Sequence, residues 1–552
     1  MEQPNILWIS THDIGPHLGC YRGVWPGAED AHTPHLDRLA AEGIRYDQAF
    51  AAGPVCAPSR SAIMTGCYPT AIGTMHMRSK AVPPPEVRLL SELLRAEGYY
   101  ATNNWFTDFQ VDTPPVAFDE CSPTAHWRNR PDETTPFFAA FHGMTTHESR
   151  LDYAQEAFEA ATAQVRDDER HDPATVQIPP YHPDTDVFRT TWARYHDLIT
   201  EMDHWVGGLL AELDEAGLAE STVVVFWSDH GPGVPRAKRW AAEAGLRVPL
   251  IVRWPGRLPA GHARTEVVEL LDLAPTMLRL AGAAIPEHMH GEPLFDEGGI
   301  LDRVSDFAFG GRDRMDEQLD TARTVRDERY RYVRNLHPDR SPLQYNEYAD
   351  RMSTWRELRA LTAAEGRQLA AGRRPDLLTP LQRTITAPDK PAEQLHDLDV
   401  DPHEEHNLAT DPAYGDVLER LRDALDEWIA RVGDLGVIPE ADLLDAWRPE
   451  GVPQSTRAPE ATWSAGADPH SLLTLTCDTP GARIGWTTDA PAPPHPPTAL
   501  ESMSGSPPND GRRWMLYTEP FASPAATVWV RAWRLGFAPS DEIRLEPGQA
   551  AG

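Results

Sequence analysis

Two pairs of aspartate and histidine follow apolar segments that are typical of buried strands. His12-Asp13 follows NILWIS and Thr11, and Asp229-His230 comes directly after VVVFWS. Ligands of open α/β sheets gather outside the carboxyl ends of the strands, where these pairs would lie close together. Carboxylate and imidazole groups are ligands of divalent cations. One such pair is usually a polar loop, whereas two matched pairs favour a metal site and polar loops about equally.

The segment CAPSRSAIMTG, from Cys56 to Gly66, combines a thiol with the start of a helix. Pro58 fixes φ near helical values, so the sequence predicts a helix through SAIMTG with Cys56 just before its first turn. The field at a helix N-terminus favours anions and lowers the pKa of a thiol, and Arg60 adds donors that suit an oxyanion. The residues alone indicate either a nucleophile beside an anion site or a buried cysteine that packs before a helix.

The elements that must position these residues are short apolar runs alternating with helical patterns up to about residue 300. NILWIS, PFFAAF, STVVVFW and VPLIVRW are typical of strands buried on both faces. HLDRLAAEG, LLSELLRAEG and TTWARYHDLITEMDHWVGGLLAELDEAG are typical of amphipathic helices, and a glycine closes the last two. This alternation predicts an α/β layer fold with a largely parallel sheet in residues 1–300.

The pattern changes beyond residue 300. ARTVRDERYRYVRNL alternates like an antiparallel strand and DVLERLRDALDEWIARVG is an amphipathic helix, so residues 301–450 are predicted to form a smaller α+β part packed on the first. Residues 451–466 are rich in Pro, Gly, Ser and Ala, which predicts a linker. Residues 467–552 contain short alternating runs separated by turn residues, and we expect a small β-sandwich there.

Composition argues against several classes of protein. The formal charge of −33, with no basic stripe to offset it, argues against a nucleic-acid partner. No segment approaches the roughly 18 apolar residues of a membrane helix, so no membrane partner is expected. MEQPNILWIS lacks the basic and apolar regions of a signal peptide, which predicts a cytoplasmic enzyme. The five cysteines include no CxxC pair and predict neither a disulfide framework nor a zinc ribbon.

CAPSRSAIMTG resembles the signature of the type I sulfatases, a family of the alkaline phosphatase-like superfamily, in which Cys-x-Pro-Ser-Arg precedes an apolar residue and Thr-Gly. Four further segments are similar to family blocks in the same order: NILWISTHDIGPHLGCYRG, TPHLDRLAAEG, WSDHGPGVPRAKRW and LHDLDVDPHEEHNLATDP. The resemblance covers roughly residues 4 to 445 and is closest to bacterial relatives of the heparan N-sulfatases. It implies the sulfatase-like α/β fold, a mostly parallel sheet flanked by helices, completed by a smaller α+β C-terminal subdomain.

In that family the formylglycine-generating enzyme oxidises the signature cysteine to Cα-formylglycine. The resemblance therefore implies that Cys56 is a precursor and that this converting enzyme is a partner during maturation. It also implies one divalent ion, held by the modified Cys56 together with His12, Asp13, Asp229 and His230. Calcium is the expected ion, although the family usually has an acidic residue in place of His12, and an imidazole shifts the preference toward manganese or zinc.

The resemblance assigns three further residues to catalysis: Arg60, His147 and Lys238. Lys238, in PRAKRW, matches a family lysine that contacts the sulfate and can protonate the leaving group. His147, in MTTHESR, matches a family histidine with a similar role. The alternatives are a solvated lysine and an inert loop histidine.

One family lysine is absent from this chain. After GYYATNN the family supplies a lysine that holds the formylglycine and the sulfate, but this chain has Trp105-Phe106. Loss of that cation removes a charge-assisted contact to the anion. Either another residue takes its place or the substrate is less charged than a simple sulfate ester. The candidate substrate-binding residues are Arg78, His126, Arg128 and Arg130.

The reaction that the resemblance implies is hydrolysis of a sulfate ester or sulfamate on a small molecule or saccharide. A metal-bound gem-diol derived from Cys56 would attack sulfur in line, while Arg60 and Lys238 stabilise charge on the equatorial oxygens. His147 or Lys238 would protonate the leaving group.

Two other functions compete with this one. A phosphonate monoester or phosphodiester hydrolase of the same superfamily is favoured modestly by the histidine-containing metal site and the absent lysine. A non-catalytic carbohydrate-binding protein would keep the fold without its chemistry. The C-terminal β region resembles the terminal domains of some chitobiases and hexosaminidases, and packing is its expected role.

Overall fold

An eight-stranded sheet forms the centre of the computed structural model, which describes residues 3–302, 305–464, 472–491 and 510–546. Its strands are β1 (Asn5–Thr11), β2 (Ile44–Phe50), β3 (Tyr100–Asn104), β4 (Glu120–Cys121), β5 (Phe137–Gly143), β6 (Thr222–Ser228), β7 (Arg247–Arg253) and β8 (His262–Glu269). They lie in the order β4-β3-β5-β1-β6-β7-β2-β8.

The central strand β1 is parallel to β5 on one side and to β6 on the other. β7 runs antiparallel to both β6 and β2, so the sheet is mostly rather than wholly parallel. The four segments predicted to be buried strands form β1, β5, β6 and β7, and every residue of β6 is buried, because both faces of the sheet are covered. The predicted fold class is confirmed.

Helices pack on both faces of the sheet, where alternate residues of β1 enter two separate apolar cores. They are α1 (Pro34–Ala41), α2 (Cys56–Thr65), α3 (Pro69–Ile72), α4 (Leu90–Ala96), α5 (Gln155–Ala161), α6 (Asp186–Glu215), α7 (Glu243–Leu246) and α8 (Leu273–Ala281). All ten residues of α2 are buried, and Gly66, with a φ of 66°, ends the helix in the left-handed conformation that glycine adopts without strain.

Residues beyond β8 build a second, antiparallel sheet. After the short strands β9 (Phe295–Asp296) and β10 (Gly299–Ile300), it consists of β11 (Ala308–Arg312), β12 (Ala322–Arg326), β13 (Tyr330–Asn335) and β14 (Glu393–Asp397). ARTVRDERYRYVRNL, predicted as one strand, forms the hairpin of β12 and β13. The accompanying helices are α9 (Ser353–Ala370), α10 (Pro380–Ile385), α11 (Gly415–Val432) and α12 (Glu440–Trp447).

Apolar stacking and buried ion pairs hold this subdomain together and fasten it to the catalytic part. Trp428 of α11 stacks on Phe309 of β11 with ring centroids 5.1 Å apart. Glu243 of α7 pairs with Arg331 at 2.6 Å and with Arg326 at 3.3 Å, and all three side chains are buried. The α+β part therefore packs directly on the loop region that follows β6.

The C-terminal residues form two small sheets that share one apolar core. Their strands are β15 (Glu460–Ser464), β16 (Leu472–Thr476), β17 (Arg483–Thr487), β18 (Met515–Leu516), β19 (Phe521–Ala522), β20 (Val528–Trp533) and β21 (Ile543–Leu545). Composition predicted a linker for residues 451–466, but part of this range forms the strand β15. Its residues alternate in burial and pair with β16. Of the predicted sandwich, residues 467–471, 492–509 and 547–552 lie outside the described residues.

This β domain packs on the catalytic part through side chains near its turns. Leu535 lies in an apolar cluster with Cys67, Ile72 and Val87, and Arg483 pairs with Glu92 at 3.1 Å. All five cysteines are free thiols, in agreement with the sequence. Among the described helices, none combines the length and apolar character that crossing a bilayer requires.

Candidate active site

The two Asp-His pairs meet at the carboxyl edge of the sheet because β1 and β6 are neighbours in parallel register. Thr11 pairs with Ser228, so the residues that follow each strand leave the sheet side by side. The Asp13 backbone N–H donates to Asp229 Oδ1 over 3.2 Å, and His230 Nε2 lies 3.1 Å from Asp13 Oδ1. Asp13 has a φ of 55°, a left-handed conformation that is uncommon for residues other than glycine.

Helix α2 delivers Cys56 to the same place, with Cys56 as its first residue rather than just before it. Its Sγ lies 3.3 Å from His230 Nε2, and Ser59 fixes the helix by donating to the Asp229 carbonyl over 2.5 Å. The expectation of a lowered thiol pKa is wrong. Burial raises the pKa of Cys56 well above its ordinary value, and the positive charge of Lys238 offsets this only in part.

The donor atoms around Cys56 fit a divalent cation. His12, Cys56 and Asp229 offer ligand atoms within 4.8 Å of one another, and so do Asp13, Cys56 and His230. His12 Nδ1 lies 3.0 Å from Asp229 Oδ2, yet within the described residues Nε2 of this fully buried imidazole has no hydrogen-bond partner. An orphaned buried nitrogen in a cluster with a carboxylate and a thiol is the arrangement that a metal ion satisfies.

Lys238 reaches this cluster from the loop after β6. Its Nζ lies 2.9 Å from Asp13 Oδ1 and 2.8 Å from Glu148 Oε1, and the side chain is almost fully buried. Burial lowers the pKa of Lys238, but the carboxylates of Asp13 and Glu148 outweigh it and leave the pKa well above its ordinary value. The ammonium group is therefore protonated at neutral pH and can donate a proton or hydrogen bonds.

Glu148 and Arg239 complete the network around Lys238. The Arg239 guanidinium forms two hydrogen bonds of 2.9 Å with the Glu148 carboxylate, one to each oxygen. Glu148 also uses its backbone N–H to donate to Asp13 Oδ2 over 2.6 Å. Sequence reasoning missed both residues. The available signal was their adjacency, because Glu148 follows His147 and Arg239 follows Lys238.

His147 lies beside the cluster, with its ring centroid 5.9 Å from that of His12. Its Nδ1 pairs with Ser149 Oγ at 2.9 Å. Burial lowers the pKa of His147 to about 4, so the imidazole is neutral at neutral pH and can accept a proton. Of the two residues predicted to protonate a leaving group, Lys238 is thus the one that carries a proton.

Arg60 is fully buried and contacts the segment that contains Phe106 and Thr107. Its Nε donates to the Thr107 carbonyl over 2.8 Å and its Nη2 to the Phe106 carbonyl over 3.1 Å. The guanidinium also lies 5.0 Å from the centroid of the Phe106 ring. Of the three guanidinium nitrogens, only Nη1 lacks a hydrogen-bond partner within the described residues, so it is available as a donor.

The weaker substrate-binding candidates do not lie together. Arg78 follows Met77, which packs in one apolar cluster with Cys56, and it pairs with Asp108 at 3.3 Å. His126 and Arg128 instead both contact Glu212 of α6, at 3.2 and 3.0 Å. The structure therefore places Arg78 next to the segment that packs on Cys56, whereas His126 and Arg128 have no contact with the Cys56 cluster in the described part of the chain.

Two family models match this chain. The model described as "Sulfatase" matches residues 4–122 and 124–283, together half of the chain. The chain belongs to the sulfatase family. A second model, "N-sulphoglucosamine sulphohydrolase, C-terminal", matches residues 236–334. This sulfatase is therefore a sulfuric ester hydrolase of type I, in the alkaline phosphatase superfamily, as the sequence predicted.

Individual relatives are similar to this sulfatase over most or all of its length. An "Ulvan-active sulfatase" of Formosa agariphila is 36% identical, and the alignment covers 99% of this chain and 91% of that protein. A solved "2-O GAG sulfatase" has a TM-score of 0.55 and 19% identity, over 78% of this chain and 93% of that one. A phosphonate monoester hydrolase from Silicibacter pomeroyi has a TM-score of 0.53 and 19% identity, over 79% and 97%. At such identities the two solved structures establish the shared fold alone.

Proposed function

We propose that this sulfatase hydrolyses sulfate esters of a saccharide, using formylglycine made from Cys56 and one divalent metal ion. The observation that carries the proposal is the position of Cys56, at a helix N-terminus with Sγ 3.3 Å from His230 and near both aspartates. A thiol with a raised pKa is a poor nucleophile, so the unmodified Cys56 suits the role of precursor better than that of reagent.

His12, Asp13, Asp229, His230 and the modified side chain of Cys56 would hold the metal ion. Bound there, the ion supplies a Lewis acid that polarises sulfate oxygens and activates the oxygen nucleophile. Two carboxylates provide hard oxygen ligands for calcium, while the two imidazoles also suit manganese or zinc.

The remaining residues bind the sulfate group and move protons. Arg60 Nη1 and the Lys238 ammonium supply hydrogen bonds to sulfate oxygens, and both groups are already desolvated, so little reorganisation accompanies charge development. Lys238 carries the proton that the leaving oxygen needs, whereas the neutral His147 accepts one. Glu148 and Asp13 both bind the Lys238 ammonium group, at 2.8 and 2.9 Å, and thereby orient it.

A saccharide is the substrate class that the relatives favour. The relative aligned over 99% of this chain is named for activity on ulvan, so ulvan and its oligosaccharides are the first substrates to test. A phosphonate monoester is the alternative substrate, favoured by the two histidines in the donor set and by Phe106 in place of a cation.

Mass spectrometry and a paired activity assay test the proposal. The protein is produced with and without the formylglycine-generating enzyme, and the peptide spanning Cys56 is weighed, because conversion of thiol to aldehyde lowers its mass. Rates on 4-nitrophenyl sulfate, ulvan oligosaccharides and an aryl phosphonate are then compared. We expect sulfate release only from the converted protein. An unmodified thiol in fully active enzyme would refute the precursor role, and faster phosphonate hydrolysis would favour the alternative.

A further inference from the structure

A cleft of about 350 Å³ opens beside the active site. Two segments that line the cleft, one next to Met77 and one containing Phe109, also lie beside Cys56 or Arg60. Met77, next to the lining residue Arg78, packs in one apolar cluster with Cys56, and the lining residue Phe109 lies with its ring centroid 5.6 Å from the Arg60 guanidinium. A substrate whose sulfate reaches Cys56 would therefore extend into this cleft.

The cleft contains two cations whose charge is not neutralised within the protein. Arg78 is paired with Asp108, but neither Lys80 nor Arg448 has an ion pair within the described residues. The chain has 84 acidic residues and only three lysines, and the other two lysines are both in ion pairs. Lys80 is exposed and Arg448 is half-buried, so both can reach a ligand. The lining also holds the exposed Asp112.

Three parts of the chain meet to form this cleft. Lys80 belongs to the catalytic part, Arg448 follows α12 of the subdomain, and Gly536 comes from the β domain. Gly536 has a φ of 80°, and a Cβ there would lie 2.5 Å from the Ala81 carbonyl oxygen, so only glycine permits this approach.

The contacts around Lys80 fix its main chain. Arg534 of the β domain donates to the Pro83 carbonyl, and Arg448 Nε donates to the Lys80 carbonyl over 3.4 Å. The β domain and the subdomain thus hold the segment from Arg78 to Pro83 against the active site. This gives the β domain a part in the shape of the substrate-binding surface.

We propose that this cleft binds a second anionic group of the substrate, a carboxylate or further sulfate on the sugar next to the one that carries the scissile sulfate ester. Lys80 and Arg448 are the specificity-determining residues, because each offers a free cation to an anionic oxygen. The inference rests on the proposed function, since it takes Cys56 as the position of the scissile group. It adds that the substrate is an acidic saccharide recognised through at least two sugars.

Charge-neutral variants and matched substrates test this subsite. Lys80→Gln, Arg448→Gln and the double variant are assayed on a sulfated uronic-acid oligosaccharide and on the same compound with its carboxylates reduced to alcohols. A second pair of oligosaccharides, with and without an additional sulfate on the neighbouring sugar, separates the two anion types. Arg166→Gln is the control, because it removes one exposed cation whose ion pairs, to Asp168 and Glu169, lie outside the cleft.

We expect the wild type to prefer the more anionic member of one pair by about ten-fold or more in kcat/KM, as one or two charge-assisted contacts would provide. Each single variant should lose about 3- to 10-fold on that member, mainly through a higher KM, because the contact lies away from the reacting atoms. The double variant should no longer discriminate, while Arg166→Gln should discriminate as the wild type does.

Two readouts separate failure of this subsite from failure of the proposed function. Hydrolysis of 4-nitrophenyl sulfate, measured on every preparation, reports on the reaction centre and not on the cleft. Calorimetric binding of the same oligosaccharides to Cys56→Ala measures recognition without turnover. A wild type that does not discriminate within either pair, or a double variant that keeps the wild-type preference, would overturn the subsite even if aryl sulfate is hydrolysed well.

Discussion

Glu148→Gln replaces the carboxylate that joins Lys238 to Arg239 with a neutral group of the same size. Glu148 is 1% exposed and accepts from Lys238 at 2.8 Å and from Arg239 at 2.9 Å through both oxygens. Burial raises the pKa of Glu148, but the two cations outweigh it and hold the pKa well below its ordinary value. The carboxylate is therefore ionised whenever the protein is folded at neutral pH.

The expected cost of this change follows from burial. Removing one partner of a buried ion pair leaves an uncompensated charge and costs about 3–5 kcal/mol. Glu212→Gln is the matched control, because Glu212 also contacts two basic side chains, His126 and Arg128, but is 40% exposed. Solvent screening limits an exposed pair to about 0–1 kcal/mol, so the two variants should differ several-fold in their effect.

Urea unfolding of both variants, monitored by tryptophan fluorescence, measures this difference. The Glu148→Gln enzyme should also lose kcat on 4-nitrophenyl sulfate, because Lys238 loses the group that orients its ammonium. A double-mutant cycle with Arg239→Gln isolates the pairwise contribution. Equal unfolding midpoints for Glu148→Gln and Glu212→Gln, or an unchanged kcat for Glu148→Gln, would refute the reasoning.

Three further predictions use different parts of the molecule. Cys56→Ser, which cannot regenerate an aldehyde, should give at most one turnover per enzyme, as measured by quenched-flow release of 4-nitrophenol; sustained turnover would contradict the precursor role. Chelation of the metal should abolish activity and lower Tm, since the buried donors around His12 would lose their cation, and re-addition of calcium, manganese or zinc should rank the ions. Arg326 and Arg331 outweigh the effect of burial and lower the pKa of Glu243 to about 2. The ionised Glu243 therefore stabilises the fold above pH 4.5. That stability should be lost as the pH falls from about 4.5 toward 2, and Glu243→Gln should flatten this part of the stability profile.

The sequence predicted the parts of the site that follow from local pattern. The strands β1 and β6 could be recognised from apolar runs, and the rule that ligands bind at carboxyl ends of strands brings His12-Asp13 and Asp229-His230 together. Pro58 predicted the helix through SAIMTG, although the helix begins at Cys56 itself rather than just after it. The antiparallel direction of β7 could not be predicted, because a buried strand has the same composition in either direction.

Contacts between residues far apart in the chain could not be predicted from the sequence, for a different reason. Glu148 and Arg239 are 91 residues apart, and nothing in either segment indicates that the other will be its partner. The pKa of Cys56 was predicted in the wrong direction, because the helix field was counted without the desolvation that complete burial brings. Desolvation depends on what covers a residue, and part of that cover, Met315, comes from the subdomain more than 250 residues later.

The resemblance implies two departures from the family pattern, at His12 and at Phe106, and the structure brings these two residues into contact. At His12 an imidazole, neutral as a metal ligand, stands where the family usually has a carboxylate, so the site loses one negative charge. At Phe106 an aromatic ring stands where the family has a lysine, so the site loses one positive charge. The two rings are in edge contact, with centroids 5.0 Å apart. We infer that the two changes are coupled, because the position that would lose a cation, Phe106, lies against the position that would lose an anion, His12.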